Sequence, residues 1–323
     1  MTTLAEIRSK LLESQNRTTG TYDNGIYPHW NMPEGKEAII RFLPDGNSNN
    51  TFFWVERNMI KLPFNGIKDS PEKNKVFVPV PCVEMYNEGL TCPILSEVRG
   101  WFKDKSLEEL GRAYWKKRTY LFQGFVVDDP LNEEDPPENP IRRFIISPQI
   151  FQIIKSALMD PELDELPTDY NRGIDFRISK SSKGAYADYT TSKWSRRERP
   201  LSKDEQNAID TFGLFDLVNF LPKKPGQQEL AIIKEMFEAS VEGQEYDPDR
   251  WANYYRPPGI SAESAETNDA AATNTNSNVD NVNTTVNNNI GDVDDNLIET
   301  KPTDSSDRAK DILNMIRSRQ QAS

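Results

Sequence analysis

The chain is poor in the residues that most catalytic and metal sites need. Its 323 residues include one histidine, His29, and two cysteines, Cys82 and Cys92. A lone histidine without an obvious partner gives little support to a catalytic triad or to histidine-based metal chemistry. Two cysteines are too few for a disulfide scaffold. A phosphate-binding Gly-Lys-Ser/Thr loop and a nucleophile elbow are also missing, so the inventory favours a binding protein over an enzyme.

Long apolar runs are absent as well. Only 36% of the residues are hydrophobic, which indicates that part of the chain lies outside any packed core. Without a bilayer-length apolar run or a signal peptide, we expect a soluble, intracellular protein with no membrane partner. Acidic residues outnumber basic ones by 51 to 39. This argues against a histone-like protein but not against nucleic-acid binding, because binding follows local clusters of charge.

The C-terminal region lacks aromatic residues over positions 261–300. It is rich in Asn, Thr, Asp and Ala, a composition that cannot bury a core. The tail 261–323 holds 11 acidic and 5 basic residues, so its net charge of −6 is half of the chain's −12. We expect a disordered acidic tail that ends in a short amphipathic helix over residues 306–319.

What the chain does contain is two stretches in which cations stand beside aromatic side chains. The first, residues 111–127, includes Tyr114, Trp115, Lys116, Lys117, Arg118 and Tyr120. Its second half, residues 119–127, is rich in β-formers and predicts a strand. Such a strand suits a groove that follows a nucleic-acid backbone and stacks its bases. A half-buried strand with a charged end accounts for the same spacing.

The second stretch is richer in both residue types. It follows residues 173–182, whose alternation predicts a half-exposed antiparallel strand. The stretch contains Lys183, Tyr186, Tyr189, Lys193, Trp194, Arg196 and Arg197. Stacking on aromatic side chains tolerates any base sequence and contributes ~1–3 kcal/mol per base. Because a duplex hides its base faces, these residues favour single strands.

The remaining patterns predict mostly short strands. Residues 37–44 and 51–60 are expected to form two strands across a turn, and Arg142, Arg143 and Phe144 open another. Residues 148–159 predict a helix with a proline in its first turn. The expected fold class is mainly β with added helices (α+β), and a small β-barrel with a stacking groove fits it.

Several blocks, in their shared order, resemble the single-stranded DNA-binding, helix-destabilising protein of T4-like bacteriophages. They are GKEAIIRFLP from Gly35, Cys82 with Cys92-Pro93, KKRTYLFQGFVVDDP followed by ENPIRRF, and FRISKSSKGAYADY. The resemblance covers about residues 1–200, with a similar layout beyond. It implies an OB-fold core with a five-stranded barrel and a small appended subdomain, an N-terminal arm for cooperativity and an acidic C-terminal region for protein partners.

Carried over by position, the resemblance implies roles for individual residues. Arg41 stands where the family has a groove arginine, and Lys116, Lys117, Arg118 and Thr119 match its internal basic-plus-hydroxyl motif. Groove aromatics would be Tyr120, Phe144, Tyr186 and Tyr189, of which we expect at least one in the core instead. The full set predicted to contact DNA is Arg41, Tyr114, Trp115, Lys116, Lys117, Arg118, Tyr120, Arg142, Arg143, Phe144, Lys183, Tyr186, Tyr189, Lys193, Trp194, Arg196 and Arg197.

We expect three regions along the chain: an arm (1–20), a DNA-binding core (21–260) and the tail (261–323). Within the arm, residues 2–16 predict an amphipathic helix too short to be stable alone. It must therefore dock on its own domain or on a neighbouring copy. The residues predicted to support cooperativity are Arg8, Ser9 and Lys10.

Zinc is the cofactor that the resemblance raises, since the family's zinc subdomain uses one histidine and three cysteines. Cys82 and Cys92 match two ligands, but Leu95 stands in the third cysteine's place and no histidine lies shortly upstream. Structural zinc needs four ligands. We therefore expect no metal or other cofactor, free thiols close together, and a zinc-type remnant over residues 60–100 that is folded by packing. Its predicted core is Phe64, Val76, Phe77, Val83, Leu90, Ile94 and Leu95.

Together these features predict a protein that is not an enzyme. It would bind single-stranded DNA cooperatively and without sequence preference in phage DNA replication, recombination and repair. The expected partners are single-stranded DNA, further copies of the chain, and phage replication and recombination proteins through the tail, in the cytoplasm of the infected bacterial host. The alternative is a structural or scaffold protein whose aromatic–basic patches are protein interfaces, because Arg and aromatic residues are also enriched at hot spots.

Overall fold

A computed structural model of the chain describes residues 24–258, apart from 72–73, 87–88, 134–135 and 185. The predicted N-terminal helix and the acidic tail, with its final helix, lie outside the described residues. No helix within the described part is both long enough and apolar enough to cross a membrane.

The described residues contain nine strands and six α-helices. The strands are β1 (Glu37–Phe42), β2 (Val55–Phe64), β3 (Val76–Pro81), β4 (Lys117–Asp128), β5 (Arg142–Ile146), β6 (Ile174–Ser179), β7 (Ser181–Lys183), β8 (Tyr186–Asp188) and β9 (Lys193–Glu198). The helices are α1 (Pro93–Trp101), α2 (Glu108–Ala113), α3 (Pro148–Leu158), α4 (Lys203–Phe212), α5 (Gln227–Val241) and α6 (Pro248–Trp251). Single 3-10 turns occupy His29–Asn31, Val83–Tyr86 and Leu217–Phe220.

Seven of the strands form one mostly antiparallel sheet around β4. The order is β3-β2-β4-β1-β6-β9, with β5 also paired to β4, while β7 and β8 form a separate hairpin. The first half of β4 pairs with β2, its second half pairs with β1, and β5 runs along the opposite edge. The end strands β3 and β9 do not pair with each other in the described part of the chain, so the sheet is not closed. The predicted α+β class is therefore confirmed, whereas a five-stranded barrel is not shown.

A glycine is required at one position where β1 pairs with β4. A Cβ atom on Gly124 would lie 2.2 Å from the carbonyl oxygen of Arg41 and 3.0 Å from the Cα of Phe42. No side chain fits at that distance, so glycine at this position lets the two backbones approach each other closely.

Two large hydrophobic cores lie against the sheet. The first, here called the aromatic core, contains Tyr27, Met32, Ala38, Ile40, Phe42, Phe53, Tyr120, Phe122, Phe144, Ile146, Ile150, Phe151, Ile154, Phe176, Ile178 and Tyr189. The second core joins β2, β3, α1 and Tyr114 to residues of α5 and α6, among them Ile233, Phe237 and Trp251.

The helix predicted over residues 148–159 is confirmed as α3. The hydroxyl of Ser147 accepts a hydrogen bond from the backbone N–H of Ile150, and Pro148 occupies the first helical position. Ile150, Phe151 and Ile154 are buried, so one face of α3 seals the aromatic core.

Three local predictions are wrong. Strand β2 begins at Val55, not at residue 51, so residues 51–54 form bends before it. The alternation over residues 173–182 predicts an exposed face with Asp175, Arg177 and Ser179, but Asp175 and Ser179 of β6 are only 8% and 6% exposed, because Arg199 covers the first and Glu37 contacts the second. In the region 60–100, Phe77 and Leu90 lie at the surface.

The rest of the predicted packing in region 60–100 is confirmed. Phe64, Val83, Ile94 and Leu95 are buried, and Val76 packs against the same core. Cys82 and Cys92 are buried and form no disulfide, and that they bind no metal stays a prediction. They are close enough to share a hydrogen bond, which raises the pKa of Cys82 above its usual range.

Candidate functional site

Arg41, the predicted groove arginine, lies inside the protein with no exposed surface. One Nη atom donates to the carbonyl oxygens of Asp169 at 2.7 Å and Arg199 at 2.9 Å. The other contacts a carboxylate oxygen of Asp175 at 3.4 Å. Arg199 also pairs with Asp175, at 2.8 Å, and with Glu205. Arg41 thus joins the loops around β6 from within, and its side chain does not reach a surface groove.

The cluster at the start of β5 is also buried. Arg142 makes two contacts with the carboxylate of Glu133, at 2.5 and 3.1 Å, and its guanidinium lies 5.5 Å from the ring centre of Tyr27. The Arg143 guanidinium lies 3.9 Å from the ring centre of Phe220. Phe144 is fully buried in the aromatic core. All five residues of β5 are buried, so Arg142, Arg143 and Phe144, which were predicted to contact DNA, face the protein interior.

The first aromatic–basic stretch divides between core and surface. Tyr114 is buried in the second core, with its hydroxyl 2.9 Å from that of Ser240. Trp115 packs edge-to-face on Phe102. These two aromatics therefore act in packing, because α2 brings them onto the second core before β4 begins.

The cations of the same stretch lie nearer the surface. Lys116 pairs with Glu84 at 3.1 Å and is largely covered. Lys117 is half-buried at the start of β4. Arg118 is exposed, pairs with Glu56 at 3.2 Å and hydrogen-bonds to Tyr120. Of the three, Arg118 is the one whose guanidinium is presented to solvent to a large extent.

The second stretch keeps most of its cations at the surface. Lys193, Arg196 and Arg197 are exposed on β9, an end strand of the sheet, and are here called the basic edge. Lys183 and Tyr186 are exposed on the β7–β8 hairpin, with Tyr186 46% exposed. A charged end strand also prevents unwanted strand pairing, so the basic edge has a structural role whatever it binds.

The remaining aromatics of the second stretch turn inward. Tyr189 is 3% exposed, and burial raises its pKa to about 12. Trp194 is half-buried against Phe42 and Phe176. Among the four predicted groove aromatics, Tyr120, Phe144 and Tyr189 are buried and Tyr186 is exposed. The expectation that at least one would be core is confirmed.

A surface feature that the sequence predictions missed lies between β1 and β2. Phe52 is 56% exposed, and its ring centre is 4.7 Å from that of Trp54. Trp54 stands edge-on to Phe151 at 5.3 Å, and Phe151 is stacked on Tyr120 at 3.5 Å. We call Phe52, Trp54, Phe151 and Tyr120 the aromatic row. Since Tyr120 hydrogen-bonds to Arg118, the row begins with an exposed ring and ends beside an exposed cation.

The sequence held a signal for this row. Three successive aromatic residues, Phe52 to Trp54, follow a turn rich in Asn, Asp, Ser and Gly. On a regular strand they would alternate between faces. In the bends before β2, Phe53 enters the aromatic core while Phe52 remains at the surface.

No protein-family model matches this chain, and neither does any curated protein. The functional argument therefore rests on the chain's own residues. The arm residues Arg8, Ser9 and Lys10 lie outside the described part and have no structural account here.

The site offers aromatic side chains for stacking and positive charge, but few side chains that could act in catalysis. His29 is buried, and desolvation lowers its pKa to about 4. Within the described residues, no three His, Cys, Asp or Glu side chains are grouped so that they could hold a metal ion. The absence of a cofactor stays a prediction.

Proposed function

We propose that this chain binds single-stranded DNA without sequence preference, and that Phe52, at the exposed end of the aromatic row, stacks a base. The observation that carries the proposal is the exposure of Phe52 at one end of a continuous series of rings that leads to Arg118. A base stacked on Phe52 would extend this series outward. Any base can do so, because every base has a π-face.

Charge near the surface supports the same function. Lys183, Lys193, Arg196 and Arg197 are exposed and suit contacts to phosphates. The net charge of −12 does not prevent this, since half of it belongs to the tail. The buried Arg41, Arg142 and Arg143 are left out of the proposed contact set because each is held by internal partners.

The biological setting is carried over from the resemblance to the T4-like phage proteins. We propose a non-enzymatic role in phage DNA replication, recombination and repair, in the cytoplasm of the infected host. An OB-type arrangement of the central strands belongs to the same proposal. Residues 1–20 would link neighbouring copies, and the acidic tail would engage replication and recombination proteins and compete with DNA phosphates.

The test is a fluorescence titration with single-stranded oligonucleotides of increasing length, at several salt concentrations. We expect quenching of Trp and Tyr emission, affinity that rises with length, and weakening by salt. Phe52→Ala is expected to lower affinity by the contribution of one stacked base, ~1–3 kcal/mol, or about 5- to 150-fold. Phe77→Ala is the matched control, since Phe77 is also exposed but lies on β3, outside the row.

Three results would contradict the proposal. Equal affinity for duplex and single strands would exclude base stacking as the source of binding. No quenching together with no salt dependence would favour a scaffold protein whose patches contact other proteins. If Phe52→Ala and Phe77→Ala bound equally well, the aromatic row would not be the stacking surface.

Deletions test the two terminal roles. Removal of residues 1–17 is expected to leave affinity for a short oligonucleotide nearly unchanged while weakening binding to long strands. Removal of residues 261–323 is expected to raise affinity, because the net −6 of the tail no longer competes with phosphates. Lower affinity after tail removal would refute the competition.

A further inference from the structure

A small, partly enclosed cavity lies on the face of the sheet opposite the aromatic core. The strand register explains its position: Arg57 of β2 pairs with Thr119, the next residue on that face of β4 is Leu121, and Leu121 pairs with Ile145 of β5. The cavity is lined by Ile26, Arg57, Leu121, Arg143, Ile145, Leu217 and Phe220. It is therefore an apolar chamber with two arginines in its wall.

Arg57 is half-buried and, unlike Arg41 and Arg142, has no carboxylate partner among the described residues. Arg41 has Asp175, and Arg142 has Glu133. No carboxylate in the described part of the chain pairs with Arg57, and its guanidinium donates no hydrogen bond there. The one titratable group that interacts with it is the Tyr86 phenol, whose pKa is itself raised by burial.

Arg57 is half-buried, so its charge is partly removed from water while no carboxylate in the described part of the chain compensates it. Desolvation lowers the pKa of Arg57 below its ordinary value, although a guanidinium stays charged at neutral pH. A buried charge normally has a partner or is hydrogen-bonded. Whatever anion enters the cavity would supply the partner that the described chain does not.

We propose that this cavity is an oxyanion site that takes a phosphate group, with Arg57 as its charged ligand. The planar guanidinium fork matches the oxygens of a phosphate, and charge-assisted hydrogen bonds of this kind are among the strongest in proteins. The position of Arg57 on β2 fixes its backbone beside the cavity.

The site is separate from the aromatic row, because Arg57 and Tyr120 occupy opposite faces of the sheet. The phosphate could be free in solution or could belong to a nucleic-acid backbone. Both sources present the same group to Arg57, and they are distinguished by experiment.

The first measurement is the melting temperature of the full chain in inorganic phosphate, against chloride at matched ionic strength. Ligand that binds the folded state raises the melting temperature as its concentration rises. We expect this rise in the wild type and its loss in Arg57→Gln, through a fall in phosphate affinity of about tenfold or more. Arg172→Gln is the matched control, since Arg172 is exposed and already paired with Glu165 and Glu198.

Arg57→Lys provides a second variant in case the glutamine variant folds poorly. Lysine keeps the positive charge but lacks the planar guanidinium that can bind two phosphate oxygens, so we expect a weaker but measurable response to phosphate. The side-chain Nε–H resonance of Arg57, followed by NMR during the same titration, should shift with phosphate and not with chloride.

The affinity of Arg57→Gln for oligonucleotides distinguishes free phosphate from a backbone phosphate as the ligand. If the site takes a backbone phosphate, Arg57→Gln weakens binding of single strands uniformly across sequences and reduces the salt slope by about 0.7. If it takes free phosphate, oligonucleotide affinity is unchanged while the phosphate response is lost. Equal phosphate responses in the wild type and Arg57→Gln, or no response in the wild type, would overturn the proposal, and neither outcome depends on whether the aromatic row binds DNA.

Discussion

Replacing Arg41 with methionine is expected to destabilise the fold while leaving DNA affinity unchanged. The side chain is fully buried, donates to two carbonyl oxygens and pairs with Asp175. Methionine fills a similar volume but provides no donor. Removing one partner of a buried ion pair costs about 3–5 kcal/mol, because the remaining charge loses its compensation.

The expected loss for Arg41→Met lies at the lower end of that range. Asp175 keeps a second partner, the Nε of Arg199 at 2.8 Å. The carbonyl oxygens of Asp169 and Arg199, however, lose a charged donor. We therefore expect a loss of about 3–4 kcal/mol in the free energy of unfolding, which lowers the urea midpoint by roughly 1–2 M if the slope is unchanged.

Urea denaturation of Arg41→Met and Arg118→Met, side by side, checks this. Arg118 pairs with Glu56 at the surface, and exposed pairs of this kind contribute ~1 kcal/mol or less. The reasoning would be refuted by an unchanged midpoint for Arg41→Met. It would also be refuted if the variant kept its stability and lost affinity for single strands, because Arg41 would then be the groove arginine that the family resemblance implies.

Three further predictions concern backbone packing, pH and metal. Gly124→Ala should lower the free energy of unfolding by about 1–3 kcal/mol or more, because the new Cβ would lie 2.2 Å from a backbone oxygen. In Gly100→Ala, within α1, the new Cβ meets nothing within 4 Å, so the free energy of unfolding should rise by about 0.5–1 kcal/mol. Equal urea midpoints for the two variants would contradict this. Burial holds the pKa of His29 at about 4, below the ordinary 6.5, so the unfolded chain takes up its proton first as pH falls and stability drops. Between pH 7 and 5 the loss attributable to His29 is about 2 kcal/mol, and His29→Phe should not show it. We predict that the region around Cys82 and Cys92 is folded by packing without a metal, so a chelator should leave the urea midpoint unchanged. Zinc bound in stoichiometric amount to the purified protein would contradict this prediction.

The spacing of apolar residues and the residues that cap helices made the regular secondary-structure elements predictable. The strand over residues 119–127 and the helix over 148–159 carry their own signals, namely β-formers and a serine–proline start, and both are confirmed as β4 and α3. Local pattern was sufficient because these elements bury the face that their own sequence marks as apolar.

Individual side chains in the site could not be placed by the same reasoning. Arg41 and Phe52 show why: spacing alone cannot tell that Asp175, 134 residues further on, meets the arginine, or that bends before β2 turn one ring out. Tyr120 and Tyr189 look like Tyr186 in the sequence, yet Tyr120 is stacked on Phe151 of α3 and Tyr189 packs against His29. Exposure of an aromatic residue is decided by long-range packing, which a single sequence does not reveal.

The second core has a consequence for the order of events during synthesis. It is assembled from residues 60–114 and from residues 233–251, with strands β4, β5, β6 and β9 of the central sheet encoded between them. At 5–20 residues per second, a ribosome takes about 6–24 s to make the intervening chain. For that interval β2, β3 and α1 have emerged without α5, and their apolar face has no cover. A nascent chain arrested before residue 233 should therefore bind a holdase chaperone at this face, and release should follow once α5 leaves the exit tunnel.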